Sequence, residues 1–227
     1  PVPAVHLVID SEVPVARGLG SFEPPCIAGG MAAANAMLGN PFTTDDLFQL
    51  CTAFEGHPDN AAPAFLGGLT ASFMHEGRAV AVPFSPDPAW RFVAVIPNYE
   101  VRTEEARRIV RRDIDLSAAV HTMSHAIAMV RGLETGDEAL VGAACADVLH
   151  EPYRRTLIAE YDAMRAMALE AGAATFFISG SGSTMIAATK SEAVAEAFVA
   201  KVRETWPDFA ARVLTVCHEG TTVTVED

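Results

Sequence analysis

Positive charge is in short supply: 16 lysines and arginines stand against 29 aspartates and glutamates, a formal charge of −13 over 227 residues. A nucleic-acid surface needs a basic footprint, so that class of partner is excluded. A nucleotide is not, because backbone N–H groups with one or two cations suffice to hold a phosphate. Cysteine is also scarce, with four residues at 26, 51, 145 and 217 and no CxxC pair. That excludes a zinc ribbon and a disulfide scaffold and leaves buried free thiols as the expectation. No apolar run reaches the roughly 18–20 residues needed to span a bilayer. The opening PVPAVHLVIDSEVP has neither the basic start nor the continuous apolar stretch of a secretory signal. A soluble, cytoplasmic chain with no membrane partner is expected. Internal repeats and low-complexity tails are lacking too.

What is present is apolar content, half of all residues, enough for one large or two small domains. Alternation over Val5–Val15 predicts a strand, followed by the glycine-containing turn ARGLGS. Cys26–Leu38 is uncharged and rich in Ala, Gly and Met, which predicts a helix buried on nearly all sides. Asn40-Pro41 stops it, and Thr43-Thr44-Asp45-Asp46 caps a helix running to about Glu55. Leu69–Phe73 and Ala79–Pro83 read as paired strands, and SPDPAW marks a domain boundary between residues 1–90 and 91–227. Arg91–Ile96 is a strand ended by Pro97, and Thr103 is the expected cap of the helix TEEARRIVRR. Helices are predicted over Ser117–Val130, Asp137–Leu149, Arg154–Ala171 and Ser191–Thr205. TFFISGSGSTMIAAT reads as two strands around a tight turn, and Ala211–Val225 as closing strand material.

Four segments carry candidate chemistry. PVARGLGSFEPPC joins a strand, a glycine turn and a helix start, where backbone N–H groups and the helix dipole attract phosphate. No GK[ST] follows, so this is not a Walker A loop, and an ordinary tight turn fits the spacing equally well. EGHPDN crowds Glu55, His57, Asp59 and Asn60 into six residues around Pro58. That density suggests a site, although Asp59 or Asn60 capping the next helix would account for it too. YEVRTEEARR and HEPYRR place arginines near helix ends, where two together can clamp a carboxylate and one alone is usually just solvated. FISGSGSTM permits close approach of another loop or of a ligand, or forms a plain hairpin.

Taken in this order, the four segments resemble homoserine kinase, a family of the GHMP small-molecule kinase superfamily. The superfamily's Pro-x-x-x-Gly-Leu-Gly-Ser-Ser-Ala phosphate loop is matched at Pro14, Gly18, Leu19, Gly20 and Ser21. Its late glycine motif is matched at Ser179-Gly180-Ser181-Gly182-Ser183-Thr184. EGHPDN, Ile-Pro-x-x-x-Val-x-Thr-x-x-Ala-Arg and Pro-Tyr-Arg are similar to homoserine kinases in particular. The resemblance implies an α+β fold: part of a ribosomal-protein-S5-like domain followed by a ferredoxin-like α/β sandwich. It implies transfer of the γ-phosphate of ATP to the side-chain hydroxyl of L-homoserine, with Mg²⁺, in a homodimer. Alternatives are a related small-alcohol kinase, or a catalytically impaired relative that binds an amino acid or serves as a structural partner.

By the same resemblance, Glu55 and Ser21 hold Mg²⁺, and Glu55, Asn60 and Arg107 are the catalytic residues. His57, Asp59, Asn60, Thr103 and His125 line the homoserine site, where Arg107 and Arg154 grip the carboxylate. Pro14, Arg17, Gly18, Leu19, Gly20, Ser21, Ser181 and Gly182 surround ATP. No general base is assigned, since phosphoryl transfer proceeds largely by positioning and charge neutralisation.

Three departures accompany the resemblance. The phosphate loop continues as Ser21-Phe22-Glu23-Pro24-Pro25, one residue longer than the family pattern, with two N–H donors replaced by proline. Ser183 stands where the family usually has proline. The family's early Pro-x-x-x-x-Asn-Leu-Gly-x-Gly-Phe-Asp motif has no counterpart in these residues.

Overall fold

The computed structural model describes residues 6, 8–14, 17–19 and 23–225, with Glu23 and Pro24 described by backbone only. The first half is three helices against a hairpin: α1 (Glu23–Met37), α2 (Thr44–Glu55), α3 (Ala61–Leu66), β1 (Leu69–His75) and β2 (Arg78–Phe84). Thr43 starts α2 with a full capping box, accepting from the Asp46 N–H at 3.2 Å while the Asp46 carboxylate accepts from the Thr43 N–H at 2.9 Å. The strands pair antiparallel from Leu69 opposite Phe84 to His75 opposite Arg78. Ala28, Leu47, Phe48, Cys51, Ala61 and Phe65 are central to this half's core.

α1 is not buried on nearly all sides. Its main neighbours are α2 and α3, and among its described side chains only Ala28 and Asn35 are buried. Its small residues let α2 and α3 approach one side but leave little apolar surface to cover elsewhere. Asn35 fastens the C-terminal end of α1 to the next turn, donating to the Phe42 carbonyl at 2.9 Å and accepting from its N–H at 3.0 Å. The described part of the expected strand Val5–Val15 is irregular, with Val8, Ile9 and Val13 exposed. The described sheets are β1-β2 and the four-stranded one below, and neither offers it a ladder.

The second half is built on a four-stranded sheet in the order β4-β5-β3-β6: β4 (Thr175–Ile178), β5 (Met185–Thr189), β3 (Arg91–Ile96) and β6 (Ala210–Leu214). All neighbouring strands are antiparallel. α8 (Tyr161–Glu170) lies between β3 and β4 in the chain, and α9 (Glu192–Thr205) between β5 and β6. This is the split β-α-β arrangement of a ferredoxin-like sandwich. The register aligns Phe176, Ala187, Val93 and Val213 across one face, where Met164, Ala168, Phe198 and Val202 of the two helices pack. The opposite face carries Phe92 and Ala188 with the fully buried Trp90, covered by α5 (Leu116–Thr135) and α6 (Glu138–Ala144). The Trp90 indole N–H donates to the Leu133 carbonyl at 2.9 Å. Among the described residues no helix is long and apolar enough to cross a membrane.

Several expected helices are shorter. α4 covers only Thr103–Arg108 and its N-cap is Arg102, so Thr103 does not cap it. Arg154–Ala171 is not one helix: α7 (Glu151–Arg154) passes into a 3₁₀ turn at Arg155–Leu157, and Ile158 adopts an extended backbone before α8. Burial of Ile158, 2% exposed, takes the chain out of helical geometry there. Asp137–Leu149 also ends early, because the Asp147 side chain competes for backbone N–H groups beyond α6. After Leu214 the chain to residue 225 is irregular rather than strand. It is nonetheless tied to the first half, with the Gly68 N–H donating to the Cys217 carbonyl and the Thr221 N–H to that of Ala64. All four cysteines are free, but only Cys51 is buried and Cys217 is exposed.

Candidate active site

The turn Ser179–Thr184, between β4 and β5, is the centre of the site. It closes on itself through Ser179 N–H to Thr184 O at 2.9 Å and Gly182 N–H to Ser179 O at 2.9 Å. Segments distant in sequence then fasten onto it. The Ser179 hydroxyl donates to the Gly18 carbonyl at 2.6 Å. The Thr184 N–H donates to the Arg17 carbonyl at 3.0 Å. Gly18 has a φ of +80°, and a Cβ there would lie 2.4 Å from Ser179 O and 2.7 Å from Gly182 O. Backbone meets backbone at this point, and only glycine fits. Of the alternatives open for SGSGS, close approach of another loop is the one realised.

A third segment joins before α4. The Ser183 hydroxyl donates to the Tyr99 carbonyl at 2.6 Å. Glu100 pairs with Arg17 at 2.9 Å, and the Thr103 and Ser181 hydroxyls lie 3.3 Å apart. Arg154, on α7, donates through Nη1 to the Gly180 carbonyl at 2.8 Å. Burial first, and the neighbouring Arg107 charge, push the Arg154 pKa down, while Asp147 opposes them. The Arg107 guanidinium is thus near enough to act on that of Arg154, which itself reaches the glycine turn. Arg107 is exposed and makes no ion pair or hydrogen bond among the described residues. Such a pair is a receptor for a carboxylate or a phosphate.

EGHPDN folds as the junction between α2 and α3. Glu55 ends α2, and Gly56 turns the chain with a φ of +80°. Burial and the Glu55 charge push the Cys51 thiol up. The His57 ring meets the Asp59 carboxylate through Nδ1. Asn60 takes the N-cap place of α3, yet its side chain makes no capping bond. The capping explanation for this segment therefore holds for position and not for the Asn60 amide. His57, Asp59 and Asn60 make no hydrogen bond or ion pair to the glycine turn among the described residues.

His125 stands apart on α5. Its ring stacks on His121 at 3.6 Å, and its Nδ1 lies 2.8 Å from the His121 carbonyl. Pro14 and Leu19 are half-buried, whereas Gly20 and Ser21 lie outside the described residues. Pro24 and Pro25 fall in the first turn of α1, where N–H groups have no intrahelical partner.

Sequence reasoning passed over Asp147 and Glu151. Asp147 accepts backbone N–H bonds from Leu149, His150 and Glu151 at 2.7, 2.9 and 2.7 Å. Those bonds hold its carboxyl below the usual range although burial, the largest single influence, acts the other way. Glu151 is pushed up to about 7 by burial and by Asp147, and it accepts the Tyr161 hydroxyl. An Asp shortly before a Glu-Pro helix start is the capping signal in the sequence that points to Asp147.

Comparison with known proteins shows the family and the fold. The chain matches the GHMP kinases N terminal domain over residues 2–68 and the GHMP kinases C terminal family over residues 129–208. It is 38% identical over 227 residues to a homoserine kinase of Synechocystis sp., covering 98% of this chain and 74% of that protein. It is 37% identical to a homoserine kinase of Clostridium beijerinckii, over 79% of this chain and 60% of that one. The crystal structure of homoserine kinase from Cytophaga hutchinsonii superimposes with a TM-score of 0.83 at 28% identity, covering 93% of this chain and 69% of that chain. The fold extends to mevalonate kinase of L. major, at a TM-score of 0.62 and 15% identity over 88% of this chain and 66% of that one.

Proposed function

The chain belongs to the homoserine kinase family, and from that premise we propose that it transfers the γ-phosphate of ATP to the side-chain hydroxyl of L-homoserine, giving O-phospho-L-homoserine for threonine synthesis. The observation that carries this reading is the clasp of Gly18 by the Ser179–Thr184 turn with Arg107 and Arg154 beside it. It supports the reading because a glycine turn suits a phosphate and paired arginines suit an amino-acid carboxylate.

In this reading Pro14, Arg17, Gly18, Leu19, Gly20, Ser21, Ser181 and Gly182 surround the nucleotide. Arg107 and Arg154 take the homoserine carboxylate. His57, Asp59 and Asn60 receive the rest of the amino acid, Asp59 facing its ammonium, with Thr103 and His125 contributing nearby. Asn60 suits this role because its amide is not used in capping α3. The chain's task is to bring hydroxyl and γ-phosphate into line and exclude water, with Glu55, Asn60 and Arg107 closest to the reacting groups.

Glu55 and Ser21 would hold Mg²⁺. Mg²⁺ beside a nucleotide is commonly held by one or two carboxylates with substrate phosphates and water rather than by a protein cage. When bound, the ion supplies charge neutralisation at the phosphate oxygens. The reading also carries a homodimer, a cytoplasmic setting and a division into domains near residue 90. The separate cores on either side of that residue support the division.

The test is ADP release by the purified chain with ATP, Mg²⁺ and L-homoserine, with the product identified by mass. Stoichiometric O-phosphohomoserine is expected. ADP release that is the same with and without L-homoserine would overturn the reading.

A further inference from the structure

Arg154 sits on a very short support. α7 is one turn, Glu151–Arg154, with a proline as its second residue and a 3₁₀ turn at its end. A single turn has few internal bonds to keep it in place, here chiefly Arg154 N–H to the His150 carbonyl at 2.9 Å and Arg155 N–H to that of Glu151. What fixes it is Asp147, whose two oxygens accept the N–H groups of Leu149, His150 and Glu151 at 2.7 to 2.9 Å. These donors are the unpaired N–H groups of the α7 start and the residues leading into it. The same carboxylate exerts an attractive charge on Arg154, against burial and the repulsion of Arg107.

We propose that Asp147 is a positioning residue for substrate recognition, holding α7 so that Arg154 is aimed beside Arg107 at the carboxylate of the amino-acid substrate. The inference rests on the reading of Arg107 and Arg154 as the carboxylate clamp. Geometry supports it at both ends of α7. Asp147 grips the N-terminal side, Arg154 is the last residue, and its Nη1 reaches the Gly180 carbonyl at 2.8 Å. Release of the N-terminal grip lets the turn rotate, and the guanidinium at its far end moves out of register with Arg107. Glu151 does not replace Asp147 in this task. Its carboxyl takes the Tyr161 hydroxyl instead.

The test compares steady-state kinetics of the wild-type chain with Asp147→Ala, Asp147→Asn and Arg154→Ala. Asp147→Ala is expected to raise KM for L-homoserine on the order of tenfold or more, leaving KM for ATP at its wild-type value. Asp147→Asn keeps an acceptor oxygen and should show a smaller rise in the same parameter. A purely structural role would lower melting temperature and active fraction without moving KM. An unchanged KM for L-homoserine in Asp147→Ala, or an equal rise in both KM values, overturns the proposal. If the alanine variant does not fold, the asparagine variant decides on the same criterion. Wild-type turnover with an unchanged KM in Arg154→Ala removes the clamp and the proposal but leaves the kinase reading standing. No wild-type turnover of L-homoserine overturns the kinase reading and takes the proposal with it.

Discussion

The Ser179 hydroxyl holds the Gly18 carbonyl at 2.6 Å, across a gap in which a methyl group on Gly18 would come within 2.4 Å of the Ser179 carbonyl oxygen. The contact is between two backbones that cannot yield by rotating a side chain. The loop around Gly18 is therefore locked to the turn at Ser179–Thr184 rather than merely adjacent to it.

Gly18→Ala should break this lock. KM for ATP is expected to rise on the order of tenfold or more, measured with L-homoserine saturating. Gly39→Ala is the matched control, since Gly39 also has a positive φ, +83°, but a Cβ there meets nothing within 4 Å. It should cost about 1–2 kcal/mol of stability, read by urea denaturation, and leave KM for ATP alone.

Arg107→Ala and Arg154→Ala should each weaken L-homoserine binding by about 2–4 kcal/mol, the range for losing one charged partner of a desolvated pair. Calorimetric titration of each variant checks this. Unchanged affinity in both would remove the carboxylate clamp from the reading.

Glu55→Gln should affect the metal-dependent step. The Mg²⁺ concentration for half-maximal rate should rise on the order of tenfold or more, with L-homoserine affinity little changed. A wild-type Mg²⁺ titration curve in this variant would reduce Glu55 to a helix-end residue.

Glu151 makes stability depend on pH. Its carboxyl is raised to about 7 in the folded chain from an ordinary 4.5 by burial, then by Asp147, with Arg165 and Arg155 pulling the other way. Between those values the folded chain keeps a proton that the unfolded chain has lost. Its contribution is full below the unfolded value and declines as pH rises through the folded one. The melting temperature should therefore fall from about pH 5 to about pH 8, and Glu151→Gln should flatten that slope. A slope unchanged in the variant would assign the effect elsewhere.

Elements governed by local chemistry were legible in the sequence. The Thr43 capping box, the β1-β2 pair, the strand ended by Pro97 and the helix capped by Ser191 all stand where the pattern puts them. Elements decided by distant partners were not. The alternation of Val5–Val15 predicts a strand, but its described part finds no ladder. Arg154–Ala171 has helical periodicity, and the core's demand for Ile158 interrupts it. The site divides the same way. Glycines and arginines marked its segments, yet most of the bonds joining them end on the carbonyls of Arg17, Gly18, Tyr99 and Gly180. Every residue has a carbonyl, so those partners leave no mark on the sequence.

The central strand Arg91–Ile96 pairs Arg91 with Thr189 and Phe92 with Leu214. During synthesis it emerges long before either partner, and its apolar residues wait unpaired while the intervening helices are made. Such distant pairing slows folding and prolongs exposure of sticky surface. The loop around Gly18 waits as well, since it has no clasp until Ser179 leaves the ribosome. A nascent chain halted before β4 cannot form the clasp on Gly18, so the two halves of the chain are joined at this point only after Ser179 has been made.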